Sequence, residues 1–302
     1  ILSKYLIHFQ LDDESMQLIK IKSAPRISYS ENVFICKLYQ NHLCSFNKLV
    51  MRKLEIMFQK DLSLSKNGKR LSLEVAIMLE LQDGKTGVVE NSTSVSLLDW
   101  YDLQQEQVLV LERPIPAEDL FNYIEISGGS LEEDTAKPFP LQLVSGALEL
   151  EKKDIFHRDI KVENVLIEAD SDVPHVWLID FGLSCFVKEG SLFNVFHGTA
   201  AHAPPEWYSC SSYSAGPTTV WQLGVLLYES LHQQFETREF LSNKLKISKR
   251  LSKSCQNFLR TCLKQVPEQR PTLEQLRHHP CKQNYDLNAV PNTLPRGGLQ
   301  IL

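Results

Sequence analysis

The sequence predicts an α+β protein of two lobes, a small β-rich first lobe with one helix and a larger, mainly helical second lobe. Before residue 112, short apolar segments rich in β-branched and aromatic residues are typical of strands. From Pro114 onward, longer segments carry apolar residues at helical spacing. The expected boundaries are an N-terminal extension of uncertain structure at 1–28, the first lobe at 29–111, the hinge and second lobe at 112–281, and a tail at 282–302.

In the first lobe, the segments VFICKLY (33–39) and KLVMRKLEIMF (48–58) predict short strands. The segment RLSLEVAIMLEL (70–81) predicts a helix, because Ser72 is a suitable N-cap and Gly84 follows the last apolar residue. The segments SVSLLDW (94–100) and QVLVLER (107–113) predict two more strands. We therefore expect a small sheet accompanied by one helix.

In the second lobe, LQLVSGALELEKK (141–153) predicts a helix that begins late, near Leu141, because Pro138 and Pro140 each lack a backbone donor. TTVWQLGVLLYESL (218–231) is apolar on nearly every face, which predicts a buried central helix. A third helix is expected to bury one stripe, and a fourth to begin with a Thr272/Gln275 capping box. The stripe consists of Cys255, Phe258, Leu259, Cys262 and Leu263.

Composition narrows the class of protein. The net charge of −5 argues against a nucleic-acid binder, and no run of 18 apolar residues is present to span a membrane. The seven cysteines are odd in number and contain no C-x-x-C pair, which favours reduced thiols in a cytosolic or nuclear protein. The first residues become polar too soon for a secretory signal, and a start at Ile1 instead of Met is consistent with a fragment.

The strongest chemical signal lies between residues 156 and 182. His157-Arg158-Asp159 is followed by Lys161 and Asn164, and later by Asp180-Phe181-Gly182. A carboxylate at Asp159 could accept a proton from a substrate hydroxyl, and Lys161 could neutralise charge on a transferred phosphoryl group. Asn164 and Asp180 supply oxygen ligands suited to magnesium. In this order and spacing, the sequence resembles a eukaryotic protein kinase.

More of the second lobe fits this resemblance. Gly198-Thr199 precedes Pro204-Pro205-Glu206, which occupies the position of the family's Ala-Pro-Glu. Arg270 stands where the family places the arginine that pairs with that glutamate. Lys161 and Thr199 together imply serine/threonine specificity.

The segment LERPIPAEDLFNYI (111–124) is similar to the hinge of Pim-type kinases. The segments LIDFGLSCF, GPTTVWQLGVLLYE and LLDW are similar to other parts of the same family. The resemblance is specific from about residue 70 to 281. Within the family, the sequence resembles in particular the many Pim-like kinases of bony fishes. Pro114 removes one backbone donor that most kinases offer to adenine. Thr219 stands where most kinases have an aspartate, which Pim-type kinases also lack.

For ATP binding, the family needs a lysine on a strand and a glutamate on the next helix. Glu74 matches the glutamate, and Lys53 lies 21 residues upstream with a similar apolar flank. Lys60 is a rival, and an ordinary surface lysine is a third interpretation. The ATP-binding residues implied by the resemblance are Lys53, Glu74, Val33, Leu111, Glu112, Leu166 and Asp180.

The glycine-rich loop of the family should fall on ENVFICKLY (31–39), but Glu31, Val33 and Cys36 occupy the three glycine positions. Glycine there allows backbone N–H groups to approach phosphate closely. Two hypotheses remain open: an active serine/threonine kinase, with weakened ATP binding if this segment is the loop, or a pseudokinase that binds partners without turnover.

The resemblance also implies ATP and Mg²⁺ as cofactors, and monomeric action on serine or threonine in proteins, with no nucleic-acid or membrane partner. Substrates with upstream basic residues would be recognised by Asp119 and Glu163, with Thr199 beside the substrate, although Val162 and Asn122 differ from common family residues. Pim-type kinases are typically active without phosphorylation of the segment 180–206. A cytoplasmic and nuclear location and a role in regulating the cell cycle and apoptosis are the corresponding expectations.

Overall fold

The computed structural model describes residues 7–12, 15–21, 44–46, 49–55, 62–64, 70–83, 93–102, 106–112, 114, 117–168 and 174–282, and before Leu71 it describes the backbone. The chain divides into two compact units, the first formed by Ile1–Thr86 and Val95–Ile115, the second by Gly87–Ser94 and Pro116–Leu302. Strands and helices mix in an α+β protein, as the sequence predicts. The residue boundaries proposed for the lobes stay a prediction.

The first unit contains three antiparallel sheets and one helix within its described residues. A four-stranded sheet has the order β3-β4-β8-β7, and two hairpins pair β1 with β2 and β5 with β6. The elements are β1 Ile7–Asp12, β2 Ser15–Ile21, β3 Cys44–Phe46, β4 Leu49–Glu55, β5 Leu62–Leu64, β6 Arg70–Ser72, α1 Leu73–Gln82, β7 Leu97–Asp102 and β8 Glu106–Glu112. The predicted strands in 48–58, 94–100 and 107–113 are thus confirmed, while 33–39 lies outside the described residues.

Helix α1 begins where the sequence predicts. The Ser72 hydroxyl accepts the N–H of Val75 at 3.4 Å and donates to Gln107 Oε1 at 2.5 Å, so the cap also ties the helix to β8. At the other end, Gln82 Nε2 donates to the carbonyl of Leu97 at 2.7 Å. These two contacts attach both ends of α1 to the sheet.

The second unit is mainly helical. Its short strands form a three-stranded sheet of order β12-β11-β9 and a pair β10-β13. The elements are β9 Ala117–Asp119, α2 Leu120–Ile126, α3 Glu133–Ala136, α4 Pro138–Lys152, β10 Ile155–Phe156, β11 Val165–Glu168, β12 His175–Leu178, β13 Cys185–Phe186, α5 Pro205–Cys210, α6 Ala215–His232, α7 Thr237–Leu241, α8 Lys253–Cys262 and α9 Leu273–Arg277.

The prediction that α4 begins near Leu141 is wrong. The helix begins at Pro138, so Pro138 and Pro140 both lie in its first turn. Backbone N–H groups in the first turn have no partner within a helix, and the fixed φ of proline suits that position. The two prolines therefore remove donors that the helix does not use, and the expected cost of an interior proline does not arise.

Helix α6 forms the centre of the second unit, with thirteen consecutive buried residues from Thr218 to Ser230. It packs against α4 and α8. A Cβ added at Gly224 would lie 2.7 Å from Cys262 Cβ, so glycine allows α6 and α8 to approach closely. The predicted central helix is confirmed.

The apolar stripe of α8 is also confirmed, because all five of its predicted residues are buried. Burial raises the pKa of the Cys255 thiol to about 12 and also raises that of Cys262. Both cysteines therefore remain neutral core residues. The capping box of α9 forms as predicted, with Thr272 and Gln275 each accepting the other's backbone N–H. Among the described residues, no helix is both long and apolar enough to cross a membrane.

Candidate active site

The loop between β10 and β11 carries the predicted catalytic residues in the second unit. Two non-glycine residues of the predicted site adopt left-handed backbone conformations, Arg158 in this loop with φ of 72° and Asp180 after β12 with φ of 66°. Such conformations cost about 1–3 kcal/mol each and persist where surrounding contacts enforce them. One such contact is a hydrogen bond from Gln222 Nε2 on α6 to the Arg158 carbonyl, at 2.5 Å.

Asp159 is only 8% exposed and its carboxylate is surrounded by donors. Thr199 donates to Oδ1 from both its backbone N, at 2.9 Å, and its hydroxyl, at 2.7 Å. Lys161 Nζ lies 3.5 Å from Oδ2, and Asn164 Nδ2 lies 3.3 Å from the same oxygen. Three predicted site residues, Lys161, Asn164 and Thr199, thus converge on Asp159. The arrangement holds the carboxylate in one orientation beside a positive charge.

His157 connects this loop to the Asp180-Phe181-Gly182 segment. Its Nδ1 accepts the N–H of Asp159 at 3.3 Å, so the ring proton is on Nε2, which donates to the Ile179 carbonyl at 3.2 Å. The ring also packs edge-on against Phe181, with centroids 5.1 Å apart. The position of Asp180 is therefore coupled to that of Asp159.

Asn164 and Asp180 have the donor chemistry that a magnesium site requires. Asn164 donates Nδ2 to the Asp159 carbonyl at 2.8 Å, which orients the amide and leaves its oxygen for a metal ion. Asp180 Oδ1 accepts the N–H of Gly182 at 3.1 Å. The described residues contain no cluster of three or more His, Cys, Asp or Glu side chains able to hold a metal. Such a pair fits a magnesium ion that takes its remaining oxygens from water and phosphates.

The predicted ATP-binding residues of the first unit lie on its sheet and helix. Lys53 is in the middle of β4, opposite Val108 of β8. Glu74 is buried in the first turn of α1. Leu111 is buried and Glu112 exposed at the end of β8. Val33, Glu31, Cys36 and Lys60 lie outside the described residues. The roles of all these residues stay predictions.

Of two further predicted substrate-binding residues, Glu163 lies in the loop between β10 and β11, and Asp119 lies on the neighbouring strand β9. Asp119 caps α2 and pairs with Leu166 across the strands β9 and β11. Its two carboxylate oxygens accept from Asn122, Oδ1 from the backbone N at 2.8 Å and Oδ2 from Nδ2 at 2.7 Å. Glu163 is exposed in the 3₁₀ turn Val162–Asn164. Asp119 is therefore partly satisfied within the chain, whereas Glu163 is open to a basic partner.

Two residues that support the site were not identified from the sequence. Gln222 donates a hydrogen bond to the Arg158 carbonyl. It lies one helical turn after Thr219 on α6, and this spacing could have indicated that Gln222 faces the same site. Phe193 lies under the Arg158 guanidinium, whose central carbon is 4.7 Å from the ring centroid. No local pattern marks Phe193, because its partner is 35 residues away.

The floor of the second unit contains the ion pair that the sequence predicts. Arg270 donates to both oxygens of Glu206, at 2.9 Å and 2.6 Å, and also to three backbone carbonyls. Its guanidinium lies 5.0 Å from the Trp221 ring centroid. A bidentate pair with its remaining donors satisfied can be buried without an uncompensated charge.

Comparison with known proteins agrees with the kinase resemblance of the sequence. The protein kinase domain model matches residues 47–281. The chain is 35% identical over 211 residues to serine/threonine-protein kinase pim-2 of Danio rerio, covering 68% of this chain and 67% of that protein. It is 32% identical over 221 residues to serine/threonine-protein kinase prk-2 of Caenorhabditis elegans, covering 71% of this chain and 48% of that protein. The chain thus spans about half the length of the nematode relative. Since the domain match covers more than half of the 302 residues, the chain belongs to the protein kinase family and is Pim-like in sequence.

Proposed function

We propose that this chain is a serine/threonine protein kinase that transfers the γ-phosphoryl group of ATP to protein hydroxyls. The observation that carries the proposal is the convergence of Lys161, Asn164 and Thr199 on the Asp159 carboxylate. Phosphoryl transfer needs mainly positioned charge and an oriented nucleophile. These side chains supply both within one loop and its neighbouring segment.

The proposed mechanism starts from the two oxygens of Asp159. The Thr199 hydroxyl donates to Oδ1 at 2.7 Å, and this contact supports the proposal that a substrate hydroxyl donates to the same carboxylate. Oδ2 faces the Lys161 ammonium, which opposes the negative charge of the reacting group. A proton leaving the substrate hydroxyl would be accepted by Asp159.

Magnesium, when bound, neutralises charge on the phosphates. In this proposal Asn164 and Asp180 hold it, because both present oxygen atoms. A backbone hydrogen bond links these two ligands, because Ile179, which precedes Asp180, donates its N–H to the Asn164 carbonyl at 2.9 Å. Lys53 and Glu74 would orient the nucleotide, with contacts from Val33, Leu111, Glu112 and Leu166.

For substrates, the exposed carboxylate of Glu163 supports recognition of an upstream basic residue. Asp119 contributes less in this proposal, because Asn122 already donates to both of its oxygens. We therefore expect a weaker basic preference than two free carboxylates would give. A monomeric state and a cytoplasmic and nuclear location are part of the same proposal.

The test measures phosphate transfer from radiolabelled ATP to a serine peptide with an upstream arginine, and thermal stabilisation by Mg-ATP. We expect Asp159→Asn to lower kcat by about a hundredfold or more while the melting temperature is retained, because the amide cannot accept a proton. Asp180→Ala should remove the magnesium-dependent part of the stabilisation. The matched control is Asp134→Asn, an exposed carboxylate on α3.

Retention of more than about a tenth of the activity in Asp159→Asn would contradict the role of Asp159 as base. Stabilisation by Mg-ATP without any transfer in the parent protein would instead favour a binding protein with the kinase fold. A melting-temperature shift that is identical in Asp180→Ala and the parent would exclude Asp180 as a metal ligand.

A further inference from the structure

The second unit contains a cavity of about 490 Å³ that the proposed reaction does not use. Its walls are the end of α4, residues 154–157, Ile160, the segment 187–191, the first turn of α6 and Leu273 of α9. This volume lies within the range of ordinary ligand sites. The proposed catalytic carboxylate, Asp159, is not among the lining residues.

The inner part of the cavity is apolar. Leu150, Ile155, Phe156 and Ile160 line it and are all buried. Thr219, the residue at the position of the aspartate found in most kinases, also lines the cavity. Its hydroxyl donates to the Ala215 carbonyl at 2.9 Å within α6. The inner surface therefore favours an aliphatic or aromatic group.

The mouth of the cavity is acidic. Glu151, Asp154 and Glu189 line it against a single cation, Lys188. Within the part of the chain that the structure describes, the carboxylates of Glu151 and Asp154 make no ion pair and no side-chain hydrogen bond. A partner with positive charge would find two unused acceptors here.

The surroundings of Glu151 strengthen this charge argument. Partial burial and the nearby Glu274 carboxylate both raise the pKa of Glu151. Two carboxylates close together repel each other when both are ionised, and a cation placed beside them relieves that repulsion. The local field at the mouth thus favours a positively charged ligand.

We propose that this cavity is a docking site for a short segment of a partner protein in which an arginine or lysine stands beside an aliphatic or aromatic residue. The apolar side chain fills the inner cavity and the cation lies at the mouth, near Glu151 and Asp154. A single basic side chain is too small to fill the space, and a purely apolar segment would leave the carboxylates unpaired. The site goes beyond the proposed transfer reaction, because binding there requires neither ATP nor turnover.

The test is fluorescence anisotropy with the whole chain, without nucleotide, using labelled acetyl-Gly-Leu-Arg-Phe-Gly-amide as the probe. We expect this peptide to bind about fivefold more tightly than its citrulline analogue, which keeps the shape of arginine and lacks its charge, because partly exposed ion pairs contribute up to about 1 kcal/mol. Replacing leucine and phenylalanine of the probe by serine should weaken binding further. Equal binding of all three peptides, or of arginine amide alone, would overturn the proposal.

Substitutions of residues that line the cavity test whether the labelled peptide binds there. The pair Glu151→Gln and Asp154→Asn should together weaken binding by up to about fivefold, or about 1 kcal/mol, as the citrulline analogue does. Both changes keep the shape of the side chain, and asparagine tolerates the φ of 54° at residue 154. Ala215→Phe should block the cavity sterically. Glu149→Gln, on the same helix but not lining the cavity, is the matched control.

The double variant Asp119→Asn with Glu163→Gln separates this site from the proposed substrate site, which also favours basic residues. It should leave affinity for the probe unchanged. An equal loss in that variant, or no loss in Glu151→Gln with Asp154→Asn, would place the peptide elsewhere and refute the docking site. Since no nucleotide is present, a chain that fails to transfer phosphate would still give an interpretable result.

Discussion

At the end of α6, the His232 ring lies between two backbone groups. Nε2 accepts the N–H of Ser248 at 3.0 Å, and Nδ1 lies 3.2 Å from the Tyr228 carbonyl oxygen. An amide can donate only to an unprotonated nitrogen, so the ring proton is on Nδ1 and the imidazole is neutral. Burial lowers the pKa of His232 below its ordinary value of 6.5. Protonation would break the bond from Ser248 and place a charge in a half-buried site.

This tautomer predicts a dependence of stability on pH. Because the pKa of His232 is lower in the folded state, the unfolded state binds more protons as the pH falls. The stabilising contribution is therefore complete above about pH 6.5 and is lost as the pH drops through the folded pKa. We expect His232→Gln to lose less unfolding free energy than the parent between pH 7.5 and 5, measured by urea titration.

Part of the slope should survive in that variant, since burial also lowers the pKa of His279. His279→Gln should remove a further part of it. Parallel pH profiles for the parent and His232→Gln would show that His232 is protonated equally in the folded and unfolded states.

At the scale of elements, the segment 193–197 is attached to the rest of the second unit by hydrogen bonds and ring contacts. The backbones of Phe193 and Tyr213 exchange two hydrogen bonds, of 2.9 Å and 3.1 Å. The Tyr213 hydroxyl donates to the Val195 carbonyl at 3.0 Å and accepts the N–H of His197 at 3.2 Å. Arg158 lies over the Phe193 ring. The guanidinium of Arg158, the residue before Asp159, is thus held against the Phe193 ring.

We predict that Phe193→Leu lowers the unfolding free energy by about 1 kcal/mol, because the cation–π and ring contacts are lost. It should also lower kcat severalfold, since Arg158 adjoins Asp159. Phe193→Tyr keeps the ring and should retain both properties. Leu192→Ala is the control, because Leu192 is 67% exposed. Urea unfolding and initial rates test this, and an unchanged kcat in Phe193→Leu would show that the ring does not position the loop.

A second prediction at this scale concerns the segment 31–39, which lies outside the described residues. Replacing Glu31, Val33 and Cys36 together by glycine should improve ATP affinity about tenfold, or about 1.4 kcal/mol. Backbone N–H groups could then approach the phosphates, and one negative charge would be removed. The gain should appear in the KM for ATP more than in kcat, because the catalytic loop is unchanged.

Glycine also loosens the backbone, so the affinity must be compared in protein shown to be folded by circular dichroism. An unchanged or weaker affinity would mean that this segment does not cover the phosphates. It would also count against the alignment of Lys53, because the position of this segment was counted back from that residue.

For the whole molecule, the sequence predicted most where function or burial dictates the spacing of residues. The burial of α6 follows from its apolar composition, and the spacing of Asp159, Asn164 and Asp180 follows the kinase pattern, while their chemical roles stay predictions. The start of α4 was missed because a proline costs helix stability only beyond the first turn, and its exact position cannot be read from composition. The contact of Arg158 with Phe193 and the cavity beside α4 depend on how distant segments pack, so no local pattern indicated them.

The thirteen consecutive buried residues of α6 also affect how the protein fails on heating. When the second unit opens, these residues become an exposed apolar segment that can associate with other unfolded chains. Aggregation of that kind competes with refolding and makes unfolding irreversible. The temperature at which the protein is lost then reflects the rate of opening, and it shifts with heating rate and protein concentration. Lifetime at a fixed temperature, measured at several dilutions, should therefore shorten as the concentration rises.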